Sequence, residues 1–562
     1  MTRRIAIIGG VAGGAGAAAA ARRANESAQI DVFEAGSHIS FANCGLPYYL
    51  SGEITNREKL LITTPEMMKQ RFNVDVHVRH EVVALDRTAK RLRVRNLATG
   101  AEMEHPYDRL VIATGARSIR PPTPGLDHPR VAECRTVEDV DRLNDLLQKY
   151  PGGRVLVIGG GFIGIEVAEA LNKRGLQVML VDLAPQILPP LDAEIAAAGQ
   201  EQMLRHGVTL KLGVKVERLE HGEKDSVALL SDGQRVFFDF AVLSIGVTPE
   251  TTLAKAAGLA LGATGGLVVD VYQRTSDLDI FAAGDVTELL YWPTQARMKL
   301  ALAGPANKQA RVAGANAATP EPLLTTSGAA GTSIVRVFDC ALGMTGLSEK
   351  AATAQRIPHR VVYTQNGHHA GYFPGAQPIF IKLIFAPGDG RILGGQMFGA
   401  VEGGVDKRLD VLATAIQGRF TVDQLVELDL AYAPPFGSAK DPLIIAGMVA
   451  SNVLHGRTQT ITPRALAAEL ASAQPPLVLD VRTAKEHAAG KIDSAGGVNL
   501  PVDTLRETHG TLPSDRAIVV HCAVGYRGYL AERILRQLGH ANVRNLTGGY
   551  RSWQMQQLTQ AR

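Results

Sequence analysis

The chain has 562 residues, enough at roughly 150 residues per domain for three or four domains with separate cores. Apolar residues make up 46% and charged residues 20%, and 59 Lys+Arg against 55 Asp+Glu leave a formal charge of only +4; this excludes a disordered chain, gives no sign of nucleic-acid binding, and makes small molecules the expected partners. Four cysteines, Cys44, Cys134, Cys340 and Cys522, are too few and too scattered for a disulfide framework, which points to a reducing, cytoplasmic setting in which those that matter act as thiolates.

Arg3-Arg4 and the Ala-rich stretch to Ala21 have the outline of a secretory signal, but Gly9, Gly10, Gly13, Gly14 and Gly16 would break a signal helix. The segment is read instead as a strand from Arg4 to Ile8, a turn over Gly9, Gly10, Val11, Ala12 and Gly14, and a long helix. Glycines in such a turn let phosphates approach the N–H groups of a helix N-terminus. Val11 stands where G-x-G-x-x-G has its middle glycine, so the motif is imperfect. A second strand from Gln29 to Phe33 ends in Glu34, about 20 residues past the turn, where a carboxylate would accept ribose hydroxyls.

Next comes Ser40-Phe41-Ala42-Asn43-Cys44-Gly45-Leu46-Pro47-Tyr48-Tyr49, in which Cys44 has no C-x-x-C or C-x4-C partner. A redox relay here has to run on one thiol, by attack on a disulfide or persulfide or by cycling through a sulfenate. Such attack needs a depressed thiol pKa and a protonated leaving group.

The strand Leu110 to Ala113 runs into Thr114-Gly115, and a complete fingerprint follows at Gly159, Gly161 and Gly164 after the strand Val155 to Ile158. Its second strand, Gln177 to Val181, ends in Asp182 with no Arg adjacent, which favours a free ribose 2′-hydroxyl and hence NADH over NADPH. Two such turns, each with its acid at the right offset, make a chance match of either hard to sustain. Asp279-Ile-Phe-Ala-Ala-Gly-Asp285 closes this half of the chain. No run of about 18 strongly apolar residues occurs, so no membrane span is expected.

After Asn452 a polar stretch leads to a capped helix at Thr462-Pro463. Leu477 to Arg482 and Ala517 to Val520 read as buried parallel strands, the second opening into His521-Cys522-Ala-Val-Gly-Tyr-Arg527-Gly528. Backbone N–H groups and the following helix dipole favour a thiolate at Cys522 and an anion beside it. The spacing is C-x4-R, one residue shorter than the C-x5-R that protein phosphatases fold around phosphate, a loop sized for sulfur.

These segments carry a resemblance. The Thr114-Gly115 and Gly284-Asp285 segments resemble those of two-dinucleotide-domain flavoprotein reductases, which implies that the first turn, with Asp285, holds FAD and the second holds the nicotinamide coenzyme. The Cys44 segment resembles the active-site segment of CoA-disulfide reductases and the related NADH oxidases and peroxidases. His369 to Gly375, Gly404 to Asp410 and Ala431 to Asp441 are similar to the dimerisation domain of the CoA-disulfide reductases, whose members are homodimers. By this resemblance Cys44 is the redox thiol beside the flavin, Tyr372 and Tyr432 protonate or orient the leaving thiolate across a dimer, and Arg23, Ser40, Asn43, Arg71, Asn307 and Lys440 contact coenzyme A. Cations suit the anionic phosphates of CoA. The family's Tyr-Tyr pair is Tyr372-Phe373 here, and Gly16 and Ala20 replace polar CoA contacts. The Leu477 to Arg482 strand, Glu486, the Cys522 loop with Arg527, and Gly548-Gly549-Tyr550-x-x-Trp553 resemble a rhodanese domain with Cys522 as persulfide carrier; the loop lacks the usual C-R-x-G start, which disfavours thiosulfate as donor.

The expected fold class is α/β: two Rossmann-like domains, an α+β dimerisation domain and an α/β rhodanese domain. The expected boundaries are 1–114 with 245–320 for FAD, 115–244 for NAD(P)H, 321–450 for dimerisation, 451–461 as linker and 462–562 for rhodanese. The expected enzyme is a cytoplasmic, homodimeric NAD(P)H-dependent reductase of CoA persulfide, polysulfide or CoA disulfide. The alternatives are an NADH oxidase or peroxidase using a Cys44 sulfenate, and a redox-sensing or scaffolding protein without turnover. His368, His369 and the other histidines form no convincing ligand set, so no metal is expected.

Overall fold

A computed structural model describes residues 2–560 and divides the chain into two compact units, Met1–Pro185 with Leu204–Gly331, and Gln186–Met203 with Thr332–Arg562. In the first unit, a five-stranded parallel sheet has the order Ile280–Ala282, Arg109–Ile112, Arg4–Ile8, Gln29–Glu34, Asp75–Val78. Both faces of the sheet are covered, so apolar residues of both parities are buried: Ile5, Ile7, Ile30 and Val32 meet one core, Ala6, Ile8 and Phe33 the other. The helices Ala12–Ala24 and Ala303–Ala318 cover one face, and they cross closely because a Cβ at Gly314 would come within 2.0 Å of the Ala17 carbonyl oxygen.

A second parallel sheet repeats the plan with the order Thr209–Leu212, Gln177–Asp182, Arg154–Ile158, Phe240–Leu243, Val131–Ala132, and the helix Phe162–Lys173 follows its central strand. In both sheets the strand that enters the glycine turn is central, so the turn opens at the carboxyl ends of the strands, where ligands of such folds bind.

The second unit carries an antiparallel sheet in the order Ser333–Val337, Cys340–Gly346, Ile392–Ala400, Pro378–Phe385, Arg360–Gly367. The helices Val405–Gln417 and Pro442–Leu454 pack on it. Residues 186–203, which fall inside the stretch expected for NAD(P)H, pack with this unit. Its C-terminal part is a parallel sheet in the order Thr460–Ile461, Val543–Leu546, Ile518–His521, Leu477–Asp480, Val498–Asn499. Thr462 caps the helix Pro463–Leu470 by accepting from the Ala465 N–H, as Thr-Pro before an apolar run predicts. The α/β class with two Rossmann-like sheets, an α+β region and a C-terminal α/β region is therefore the observed fold. Among the described residues no helix is long and apolar enough to cross a membrane.

Candidate active site

The first glycine turn is folded as its residues require. Gly9 takes φ +93°, and a Cβ on Gly14 would stand 1.7 Å from the Gly9 carbonyl oxygen. Val11, in the place of the missing middle glycine, is accommodated as the residue before the first helical turn. Glu34 sits at the end of the second strand, and its two carboxylate oxygens accept from the N–H groups of Gly10 and Gly36, each at 2.6 Å. The second turn is a near copy, in which Asp182 accepts from Gly160 at 2.5 Å and from Ala184 at 2.7 Å. Backbone donors fix both acids, leaving further lone pairs for hydroxyl donors. Thr114 donates its hydroxyl to the Glu250 carbonyl at 2.7 Å, and Gly115 takes φ +67°.

Asp285 supplies the test of fit for a flavin dinucleotide. Burial pushes its carboxyl pKa up despite the attraction of Arg135. A half-buried carboxylate with that penalty is suited to accept hydroxyl donors of a ribityl chain, and with the glycine turn two strands away in the same sheet the residues fit FAD.

Cys44 lies on a single 3₁₀ turn, Asn43–Gly45, that runs into the short helix Leu46–Leu50 with Pro47 in its first turn. The residue as a whole is exposed, although its thiol is partly buried. Its surroundings correct one expectation. Partial burial, then the charges of Glu166 and Asp285, raise the thiol pKa, the opposite direction from the depression expected. Cys134, the other cysteine of the first unit, is buried, and burial pushes its pKa up to about 12. Cys44 and Asp285 thus share a neighbourhood, together with a residue the sequence reading missed. Glu166 follows the second fingerprint by two positions, and Tyr48 of the Cys44 segment donates to it at 3.2 Å.

The residues expected to meet CoA are placed as follows. Arg23 and Arg71 are exposed in the last turns of their helices. Arg22, which the sequence reading passed over, is buried between them and donates to the carbonyls of Phe72, Asn73 and Ala28 at 2.7, 2.8 and 2.8 Å. This clamp ties together the two helix ends that present Arg23 and Arg71. Ser40 takes φ 46° and is pinned by backbone bonds to Gly10 and Ile62. Asn43 and Asn307 are exposed, Asn43 reaching the Arg135 carbonyl at 3.5 Å and Asn307 bonding its own helix at Ala303. Lys440 is exposed in the second unit.

Tyr372 and Tyr432 also lie in the second unit, both exposed, with their hydroxyls 3.0 Å apart. The hydrogen bond between the two hydroxyls is the main cause that raises the Tyr432 pKa, so Tyr432 stays protonated at neutral pH.

In the C-terminal sheet Cys522 follows the central strand and is 1% exposed, and the Gly525 N–H donates to its sulfur at 3.1 Å. Arg527 opens the next helix and forms a two-pronged pair with Glu486 at 2.8 and 2.5 Å. That pair holds the Glu486 carboxyl down at about 2. Behind the loop, Asp480 is buried and bonded to Arg482 and His487, and burial pushes the adjacent His521 down to about 4. Asp192, Glu194 and Glu349 form the one group among the described residues with metal-like spacing. The Lys382 ammonium fills it, at 2.8, 2.5 and 2.6 Å.

Comparison with known proteins agrees with this geometry. The profile described as "Pyridine nucleotide-disulphide oxidoreductase" matches residues 3–310, that of its dimerisation domain matches 332–442, and "Rhodanese-like domain" matches 462–556. The crystal structure of reduced Bacillus anthracis CoADR-RHD is 40% identical and superposes with a TM-score of 0.94 over 99% of this chain and 98% of that one. A NAD-dependent persulfide reductase from A. fulgidus is 35% identical with a TM-score of 0.90, covering 98% of this chain and 100% of its own. A curated relative from Pyrococcus horikoshii, named NAD(P)H coenzyme A polysulfide/persulfide reductase, is 32% identical over 80% of this chain and 98% of its own length.

Proposed function

We propose, taking as premise that the chain belongs to the pyridine nucleotide-disulphide oxidoreductase family, that it uses NAD(P)H to reduce persulfide or polysulfide sulfur, or CoA disulfide, at the single thiol of Cys44, with Cys522 delivering sulfane sulfur. The observation that carries this reading is the joining, in one chain, of an unpaired accessible cysteine beside two dinucleotide turns and a cysteine loop built for a sulfur-borne charge.

FAD and the nicotinamide coenzyme, when bound, supply two reducing equivalents at Cys44. Gly9, Gly10, Val11, Ala12, Gly14, Glu34, Thr114, Gly115 and Asp285 are the groups that would hold the first, and Gly159, Gly161, Gly164 and Asp182 the second. Asp182, with no Arg adjacent to it in the chain to meet a 2′-phosphate, supports NADH as the preferred donor.

The chain's own chemistry runs in two steps. At Cys522, a sulfane sulfur is carried as Cys522–S–SH; a CoA thiolate attacks the outer sulfur, forming CoA–S–SH and returning the Cys522 thiolate. The N–H of Gly525 and the cation of Arg527 hold the charge on sulfur. The Cys44 thiolate then attacks the CoA-side sulfur of CoA–S–SH, so a Cys44–S–S–CoA bond forms, the S–S bond of the persulfide breaks, and HS⁻ leaves. Two electrons and a proton restore the Cys44 thiolate and free CoA. Tyr432, held protonated by Tyr372, is the donor suited to a leaving thiolate. Arg23 and Arg71 on their clamped helix ends, with Asn43, Ser40, Asn307 and Lys440, are read as the CoA contacts.

The homodimer and the cytoplasmic setting are part of this reading, supported by the dimerisation-domain match and by four unpaired cysteines. The domain boundaries given above are retained as its working division. An oxidase working through a Cys44 sulfenate finds less support, because it has no use for the Cys522 loop.

The test is NADH oxidation followed without oxygen, with CoA persulfide, polysulfide, CoA disulfide or nothing, and with sulfide measured. Sulfide release that vanishes in Cys44→Ser and falls in Cys522→Ala on polysulfide carries the reading. Slow turnover on every sulfur substrate with rapid NADH oxidation in air replaces it with the oxidase.

A further inference from the structure

The strand Arg360–Gly367 is the edge of the antiparallel sheet, so half of its N–H and C=O groups have no strand partner. At Tyr363 both outward groups are taken by one side chain: the Thr547 hydroxyl accepts from the Tyr363 N–H at 2.8 Å and lies 3.3 Å from the Tyr363 carbonyl, to which it donates. Both residues are buried.

Thr547 begins a run of three residues that leads straight to the sulfur loop. A Cβ on Gly548, which takes φ +72°, would come within 2.9 Å of the Tyr363 Cβ, so only glycine allows this approach. A Cβ on Gly549 would come within 2.5 Å of the Cys522 carbonyl oxygen and 2.8 Å of the Gly525 nitrogen, whose N–H holds the Cys522 sulfur. The N–H of Tyr550 then donates to the Cys522 carbonyl at 2.7 Å, and that of Arg551 to Ala523 at 3.1 Å.

Tyr363 is itself fixed from the other side. Its hydroxyl donates to Glu194 at 2.9 Å, and Glu194 shares the fully buried Lys382 ammonium with Asp192 and Glu349. Four residues further on, about 13 Å along an extended strand, the same strand ends and leads into the segment that carries Tyr372.

We propose that the edge strand Arg360–Gly367 is the seat of the Cys522 loop, and that Thr547 is the positioning residue that locks the loop to it. The seat indexes the sulfur-carrying loop to the strand that leads into the Tyr372 segment. Only the turnover arm of its test rests on the sulfur-delivery reading above.

In Thr547→Val the shape is kept and the hydroxyl lost. Cys522-dependent sulfur transfer from polysulfide to CoA is expected to fall about tenfold, and alkylation of Cys522 by iodoacetamide to speed up severalfold as the loop opens. Direct reduction of CoA persulfide, which bypasses Cys522, is expected to be unchanged, and Thr547→Ser to restore both altered rates. In the unmodified protein the Tyr363 amide is expected to exchange as slowly as the interior strands do, a readout that remains if the valine variant does not fold. Wild-type transfer and alkylation rates in Thr547→Val, or a fast-exchanging Tyr363 amide, overturn the proposal. Should the unmodified protein show no Cys522-dependent transfer while Thr547→Val still speeds alkylation, the seat stands and the sulfur-delivery reading falls.

Discussion

The hydroxyls of Tyr372 and Tyr432 stand 3.0 Å apart although 60 residues separate them in the chain. Because this bond raises the Tyr432 pKa, Tyr432 is a proton donor over the whole neutral range. Removing it in Tyr432→Phe is expected to lower kcat for CoA-disulfide reduction about 100-fold, within the span of general-acid effects, with NADH-dependent bleaching of the flavin unchanged. Tyr372→Phe withdraws the main cause of the raised pKa, so the alkaline limb of the pH–rate profile should move to lower pH. A profile unmoved by Tyr372→Phe would remove Tyr432 from the chemistry.

Cys44 is held above its ordinary pKa by partial burial, Glu166 and Asp285. Its alkylation rate should therefore still be climbing at pH 9. In Glu166→Gln one of the two negative charges is gone, the pKa falls, and alkylation at pH 7 should speed up. Mass spectrometry of the Cys44 peptide against pH reads this directly, and a slower rate in the variant would contradict it.

Glu486 and Arg527 form the ion pair that frames the Cys522 loop. With the carboxyl held at about 2, Glu486 is ionised at every working pH and its support of the loop is present above the ordinary carboxyl range, to be lost only as pH falls from about 4.5 toward 2. Glu486→Gln imposes that loss at neutral pH. Cys522-dependent sulfur transfer should drop about tenfold while CoA-disulfide reduction at Cys44 keeps its rate, and equal losses on both substrates would assign Glu486 a purely structural part.

His521 is buried neutral, its pKa pushed down to about 4. The unfolded chain takes up a proton near 6.5 and the folded one does not, so stability is lost as pH falls from about 6.5 to 4, by about 3 kcal/mol. Acid unfolding of the C-terminal sheet should show this slope, and His521→Gln should flatten it.

Lys382 is 1% exposed among the carboxylates of Asp192, Glu194 and Glu349. Lys382→Met removes the buried cation these acids share, leaving Asp192 and Glu194 with little solvent to compensate, and should cost about 3–5 kcal/mol in denaturant titrations. The exposed pair Arg91–Glu104 should cost under about 1 kcal/mol when broken.

The sequence by itself determined the parts whose chemistry is local. The strand–turn–helix at Gly9 to Gly14 and at Gly159 to Gly164, the acids Glu34 and Asp182, the Cys44 segment and the Cys522 to Arg527 loop are each contiguous, and turn geometry with helix N-termini acts over a few residues. The tertiary structure alone decided which distant groups face one another. Tyr363 meets Thr547 across 184 positions and Lys382 meets Glu194 across 188, and no periodicity announces such pairs because their partners are set by how sheets pack. Arg22 looked like any basic residue at a helix end until the fold buried it against the end of another helix. The same holds for charge. The single-thiol design of Cys44 is written in its spacing, but the direction of its pKa follows from burial and from Glu166 and Asp285, because desolvation and Coulomb fields belong to three-dimensional neighbours.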